Sequence, residues 1–155
     1  MAEEGVKTTK WLQKVLIVED SDPTRKLMVR YFEKAKANKH LNCEVFEAKD
    51  GKEAALIMEK TQPDLILSDI NMPVMDGLKL LMWFRKVYLQ KHPFAFFCFL
   101  SASPEERKRA FNLGAMGFIA KDEINYFTFT LQIKAWLRLT FLERTLEIKR
   151  AIKVF

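Results

Sequence analysis

The sequence predicts an α/β fold, a parallel sheet with helices on both faces, and three observations predict it. Short apolar runs alternate with helical patterns five times, with connections of a few residues between them. Parallel neighbours need such crossover connections. Residues 94–100 are apolar at every position, as a strand covered on both faces is. Four of the five runs end on polar groups, at the sheet edge where α/β proteins place their ligands.

Residues 15–18 form the first apolar run and end on Glu19-Asp20; Ser21-Asp22-Pro23 then offers an N-cap followed by proline, so strand gives way to helix. Leu27, Tyr31 and Ala35 recur at helical spacing, with Arg25, Lys26, Arg30, Lys34, Lys36 and Lys39 as a basic outer face. Residues 43–46 are a second strand. Asp50-Gly51-Lys52-Glu53 reads as a capping box opening a helix to about Lys60, which Gln62-Pro63 ends. The third run, from Asp64 to Ser68, ends on Asp69. Pro73 and Asp76-Gly77 break the strand pattern, and Asp76 caps a helix with Leu78, Leu81 and Met82 on its inner face, running to about Gln90. His92-Pro93 precedes the strand that ends on Ser101. Ser103-Pro104-Glu105-Glu106 reads as another capping box, its helix turning Ala110, Leu113 and Gly114 inward. Residues 117–120 are a fifth strand ending on Lys121, and a last helix is expected from near Asp122.

A chain of 155 residues suits one domain of ordinary size. Its net charge of +6 is spread over two helices and not gathered into a patch with interleaved aromatics, so nucleic acid is not the expected partner. Cys43 and Cys98 lie in apolar stretches without metal-ligand spacing and read as buried free thiols of a reducing compartment. Residues 1–14 lack the apolar core of a signal peptide, and no apolar run is long enough to cross a bilayer. The expected location is cytoplasmic.

The strand ends would gather Glu19, Asp20, Asp69, Ser101 and Lys121 along one edge. Each has a plainer reading: a capping turn, a loop hydroxyl, a solvated lysine. Their joint placement at the ends of separate strands carries the functional one. Crowded carboxylates stay ionised with the help of a hard divalent cation or a fixed lysine. Mg2+ suits Glu19, Asp20 and Asp69, with a backbone carbonyl near Asn71 as a further ligand. Asp69, in the middle, is placed to attack a phosphoryl group, whose charge the Ser101 hydroxyl, the Lys121 ammonium and the metal would balance.

Residues 15–21, 64–77, 100–102 and 114–121 together resemble the receiver domain of two-component response regulators, over about residues 14–138. The resemblance implies a flavodoxin-like doubly wound five-stranded sheet of order 2-1-3-4-5. It implies phosphorylation of Asp69 by a sensor histidine kinase or phosphotransfer protein, with Mg2+ held by Glu19, Asp20, Asp69 and the Asn71 carbonyl. Ser101 and Phe118 are implied to move together, remodelling the face made by the fourth helix, fifth strand and last helix. Such a protein is a phosphoacceptor, and beyond its own phosphoryl transfer and autodephosphorylation it is not an enzyme. The family usually has a cis proline after this lysine; here Asp122 follows Lys121, so a trans bond is expected.

The expected organisation is an N-terminal extension (1–13), a receiver (14–138) and an amphipathic helix (139–155). Leu131, Ala135, Leu139, Leu142 and Leu146 form one stripe; Leu137, Phe141, Ile148, Ile152 and Phe155 form another. A helix from Glu123 to the end would be roughly 50 Å long. It would pair with a second copy or lead to an output module, unless it folds back on its own domain. Two other readings are open. A phosphohydrolase with an aspartyl-phosphate would place an acid two residues beyond Asp69, where Asn71 stands. A dimerisation scaffold without phosphate-dependent switching would not need Glu19, Asp20, Asp69, Ser101 and Lys121.

Overall fold

The computed structural model describes residues 12–153, those from 148 onward by backbone alone. The strands β1 (Gln13–Val18), β2 (Cys43–Ala48), β3 (Leu65–Ser68), β4 (Phe96–Ser101) and β5 (Gly117–Ala120) form one parallel sheet in the order β2-β1-β3-β4-β5. Alternate residues face opposite ways. Leu16, Val18, Ile66, Phe97 and Phe99 meet α2 (Gly51–Thr61), α3 (Gly77–Trp83) and α5 (Arg107–Asn112) on one face. Val15, Ile17, Leu65, Leu67, Cys98 and Leu100 meet α1 (Asp22–Ala37) and α6 (Tyr126–Lys153) on the other. The sheet is the flavodoxin-like one the resemblance implied.

Caps largely follow the sequence. Ser21, Asp50 and Asp76 each accept backbone N–H bonds at a helix start. Glu53 completes its box one residue further back than expected, accepting from the Lys49 N–H at 2.8 Å. Ser103 does not cap. Its own N–H donates to Ser101 Oγ, Glu106 turns toward Ser101, and the first turn (Pro104–Glu106) is 3-10.

Inner faces shift in two helices. The buried side of α1 is Met28, Phe32 and Ala35, while Leu27 is exposed. Steps of four drift around a helix, whereas four followed by three stays on one side. Arg25, expected on the outer face, is buried. In α3, Leu80 and Leu81 face inward and Met82 outward. A π-helical turn (Phe84–Tyr88) and the short α4 (Leu89–Lys91) continue it, burying Phe84 and Tyr88.

The last helix starts later than expected. Residues Lys121–Glu123 form a 3-10 turn, and Asn125 caps α6 by accepting from the Thr128 N–H at 3.0 Å. From there α6 runs unbroken for about 42 Å at ~1.5 Å per residue. Phe129, Ile133, Trp136 and Leu137 close the second core cluster. Past Leu137 the helix stays on the domain. Gln13 Nε2 donates to the Leu137 carbonyl at 2.7 Å and to Thr140 Oγ1 at 2.8 Å, and Arg144 pairs with buried Asp64 at 2.8 Å. Fold-back therefore holds as far as Arg144. Leu131, Ala135, Leu139, Leu142 and Leu146 are all exposed. In the second expected stripe Leu137 is buried and Phe141 exposed; Ile148 and Ile152 are described by backbone alone, and Phe155 and residues 1–11 of the N-terminal extension lie outside the described residues.

Candidate functional site

The carboxyl ends of β1 and β3 lie side by side, Val18 opposite Ser68, and the chain carries this pairing into the site. The Asp69 N–H donates to the Val18 carbonyl at 2.8 Å, and the Glu19 N–H to the Ala48 carbonyl at 3.0 Å. Both acidic residues are thus fixed by backbone bonds that prolong the sheet. Oxygens of Glu19, Asp20 and Asp69 come within 4.8 Å of one another, Glu19 and Asp69 buried and Asp20 exposed.

Lys121, delivered by the end of β5, reaches across to two of them. Its Nζ lies 2.6 Å from Glu19 Oε2 and 3.2 Å from Asp69 Oδ2. Glu19 Oε1 accepts from the Ser21 N–H at 3.1 Å, and Asp69 Oδ1 from the Ile70 N–H at 2.8 Å. Burial raises both carboxyl pKa values, against the lowering effect of Lys121; Glu19 is raised further by Asp69, and Asp69 by Asp20. Burial pulls Lys121 down, but its bond to Glu19 and the charges of Asp69 and Glu19 outweigh this and raise it. One ammonium against three carboxylates leaves surplus negative charge. That donor set fits a hard, oxygen-seeking divalent cation.

Asn71 is exposed in the loop after Asp69. The loop is pinned at its far end: the Gly77 N–H donates to the Ile70 carbonyl at 2.8 Å, and a Cβ on Gly77 would stand 2.1 Å from the Asp69 carbonyl oxygen. Only glycine lets α3 start so close to the backbone of Asp69 and Ile70. Ser101 ends β4, its side chain fully buried, with Oγ 3.3 Å from Glu106 Oε2. Phe118 pairs with Phe99 across β4 and β5 and is buried, with the Arg107 guanidinium 5.3 Å from its ring centroid. No peptide bond among the described residues is cis, so Lys121–Asp122 is trans as expected.

Residues 15–126 match the response regulator receiver domain family. The chain belongs to this family. Among curated proteins, the receiver is 37% identical over 110 residues to a protein-glutamate methylesterase/protein-glutamine glutaminase of Syntrophomonas wolfei, covering 70% of this chain and 30% of that protein. It is 34% identical over 116 residues to hybrid signal transduction histidine kinase K of Dictyostelium discoideum, covering 70% of this chain and 9% of that one. The chain thus spans about a third or less of the length of these relatives. Among solved structures, a chemotaxis response regulator of Vibrio cholerae superposes with a TM-score of 0.67 at 31% identity, over 83% of this chain and 99% of that one. A response regulator receiver domain protein of Methanospirillum hungatei gives 0.71 at 25% identity, over 86% and 99%.

Two supports of the receiver's acidic corner were not singled out in the sequence. Arg25 donates to the Glu19 carbonyl at 2.8 Å and to Glu47 at 3.2 Å, and also pairs with Asp22, so it clamps the turn between β1 and α1. Its place one turn after a capping serine, three residues from Asp22, was the available signal. Glu106, read as part of a capping box, instead holds the Ser101 hydroxyl.

Proposed function

We infer that this receiver accepts a phosphoryl group on Asp69 from a phosphohistidine of a sensor kinase or phosphotransfer protein. The observation that carries the reading is the placement of the Lys121 ammonium between Glu19 and Asp69. It holds the Asp69 carboxylate by one oxygen, while the Ile70 N–H holds the other. An Asp69 oxygen attacks phosphorus as the bond from phosphorus to the histidine nitrogen breaks. Lys121 then faces the charge that builds on the transferring group. Glu19, Asp20, Asp69 and the Asn71 carbonyl would hold Mg2+, which supplies charge neutralisation to the phosphoryl oxygens.

Ser101 supplies a hydroxyl donor once it leaves Glu106, and its movement is coupled to that of Phe118 on the neighbouring strand β5. This links a new charge at the edge of the sheet to a two-state surface element. The scaffold alternative has no need of a lysine clamped between two buried carboxylates. The test is intact mass after incubation with Mg2+ and acetyl phosphate, or with a phosphorylated histidine donor. Wild type should gain one phosphoryl group and Asp69→Ala none. A wild type that stays unmodified under both donors and binds no beryllofluoride would leave only the scaffold.

A further inference from the structure

We propose that the cleft between α6 and the loop joining α1 to β2 is a docking groove for an acidic, amphipathic segment of another protein. Two hollows of about 280 and 190 Å³ adjoin there, with His40 and Lys134 as shared walls. Leu41, Leu137 and Phe141 line the first, and Tyr126, Phe127 and Leu131 the second. Phe127 is 73% exposed, Leu131 61% and Phe141 49%. Phe127, Leu131, Lys134, Arg138 and Phe141 follow one another by four, three, four and three residues, so they form one row along α6. At ~1.5 Å per residue the row is about 21 Å long, room for about four turns of a bound helix. Its apolar members line hollows and do not stand clear of the surface, a shape that suits the side chains of a peptide better than a flat bilayer.

Charge says what fits. Lys134 and Arg138 stand in the row itself, and on the α1 side Lys34 Nζ lies 4.2 Å from the centroid of the Tyr126 ring. Among the described residues, none of these three cations has an ion-pair partner within the chain. The neighbouring acids face elsewhere. Glu143 and Glu147 stand ~120° or more around α6 from every member of the row, and Glu33 stands ~160° around α1 from Tyr31, which touches Tyr126. Cys43 and Val45 point into the core beneath α1 and α6, so Glu44 between them points to the opposite face of the sheet. Glu123 lines a separate hollow with Phe118 and Gln132. An apolar floor with an unpaired basic rim repels a second copy of this chain, whose net charge is +6, and attracts a segment whose carboxylates flank apolar anchors. Gln13, which begins β1, and Asn42, just before β2, also line the groove. It therefore lies at the amino-terminal edge of the sheet, a strand's length of ~17 Å from the edge that carries Asp69. Docking leaves the acidic corner open, and the proposal does not depend on phosphoryl transfer to Asp69.

The experiment pans the full chain against a display library of random peptides long enough for about four helical turns. Enriched peptides should carry Asp and Glu on either side of bulky apolar anchors. Made synthetically, such a peptide should bind wild type and Asp69→Ala alike, and more weakly as salt is added. Lys134→Glu and Leu131→Ser should each weaken it on the order of tenfold. Both positions are exposed, and circular dichroism checks that the fold is kept. Amide chemical-shift changes in the labelled chain should gather at residues 40–42 and 127–141. No enrichment beyond that on a Lys134→Glu/Arg138→Glu variant, enriched peptides without acidic residues, binding untouched by Leu131→Ser, or shifts centred on Asp69 would each overturn the proposal. So would enrichment that requires removal of residues 1–10, which would give the groove to the chain's own N-terminus. Attachment to phosphatidylglycerol vesicles, or a dimer, that Leu131→Ser abolishes while no peptide binds would give the face to a lipid surface or a second copy, and overturn it equally.

Discussion

The Lys121 ammonium stands 3.2 Å from Asp69 Oδ2 while also meeting Glu19 at 2.6 Å, so one cation from β5 holds the carboxyl ends of β1 and β3 together. Removing it leaves Glu19 buried with no other partner for Oε2. Lys121→Met should therefore lower stability in chelator by about 3 kcal/mol, the low end for loss of one member of a buried pair because the Lys121 side chain is 20% exposed. It should also enlarge the stabilisation gained on adding Mg2+, because the cation then relieves more repulsion. Thermal unfolding with and without Mg2+ reads both effects; an unchanged midpoint in chelator would show that the ion pair carries no stability.

The pH dependence follows from the raised carboxyl pKa values. Burial raises Asp69 and Glu19, so the folded state binds these protons more tightly than the unfolded chain does. Above the folded pKa values the ionised pair costs stability, and that cost fades as pH falls through them toward the unfolded values. In chelator at neutral pH, Asp69→Asn should be more stable than wild type, and the gap should narrow as the pH falls through the raised carboxyl range. Denaturant unfolding across that range checks it. A gap that widens on acidification would mean that Lys121 outweighs burial.

The loop after Asp69 stores strain at Val74, whose φ is +66°. A β-branched residue is poorly suited to the left-handed region, where glycine and asparagine are at ease. Val74 is exposed, so its side chain has no packing to lose. Val74→Asn should raise stability by about 1 kcal/mol, and Val74→Gly by less because glycine also loosens the unfolded chain. Equilibrium urea unfolding measures the difference. Destabilisation by Val74→Asn would show that the positive φ is not a property of this loop.

What was legible in the sequence were the features that local chemistry fixes. The strands announce themselves as apolar runs, and Asp50 and Asp76 cap helices because a carboxylate before an N-terminal turn has orphan N–H groups to accept from. The clustering of the candidate site residues was legible for the same reason: Asp69 and Lys121 stand at strand ends, and parallel pairing brings strand ends together. Features settled by distant partners were not legible. Whether Arg25 faces solvent or Glu19 depends on where β2 puts Glu47. Whether the residues after 138 leave the domain depends on Asp64 and Gln13, dozens of positions away. The Ser103 box failed because Glu106 had a second suitor in Ser101.

That last contact carries the final prediction. Ser101 Oγ accepts from the Ser103 N–H at 3.1 Å and lies 3.3 Å from Glu106 Oε2, which a hydroxyl can reach only by donating its proton. The donor that the proposed phosphoryl group would need is thus already engaged by a carboxylate. Glu106→Ala removes the competitor and leaves the hydroxyl buried without an acceptor, a state that an anion on Asp69 relieves. The variant should bind beryllofluoride with Mg2+ several-fold more tightly than wild type, while Ser101→Ala should bind it more weakly and gain nothing from the added Glu106→Ala change. Titration of the four proteins, followed by fluorescence of the native tryptophans, checks both the direction and the coupling. Equal gains in the presence and absence of the Ser101 hydroxyl would place the effect of Glu106 in general charge and not in its hold on that residue.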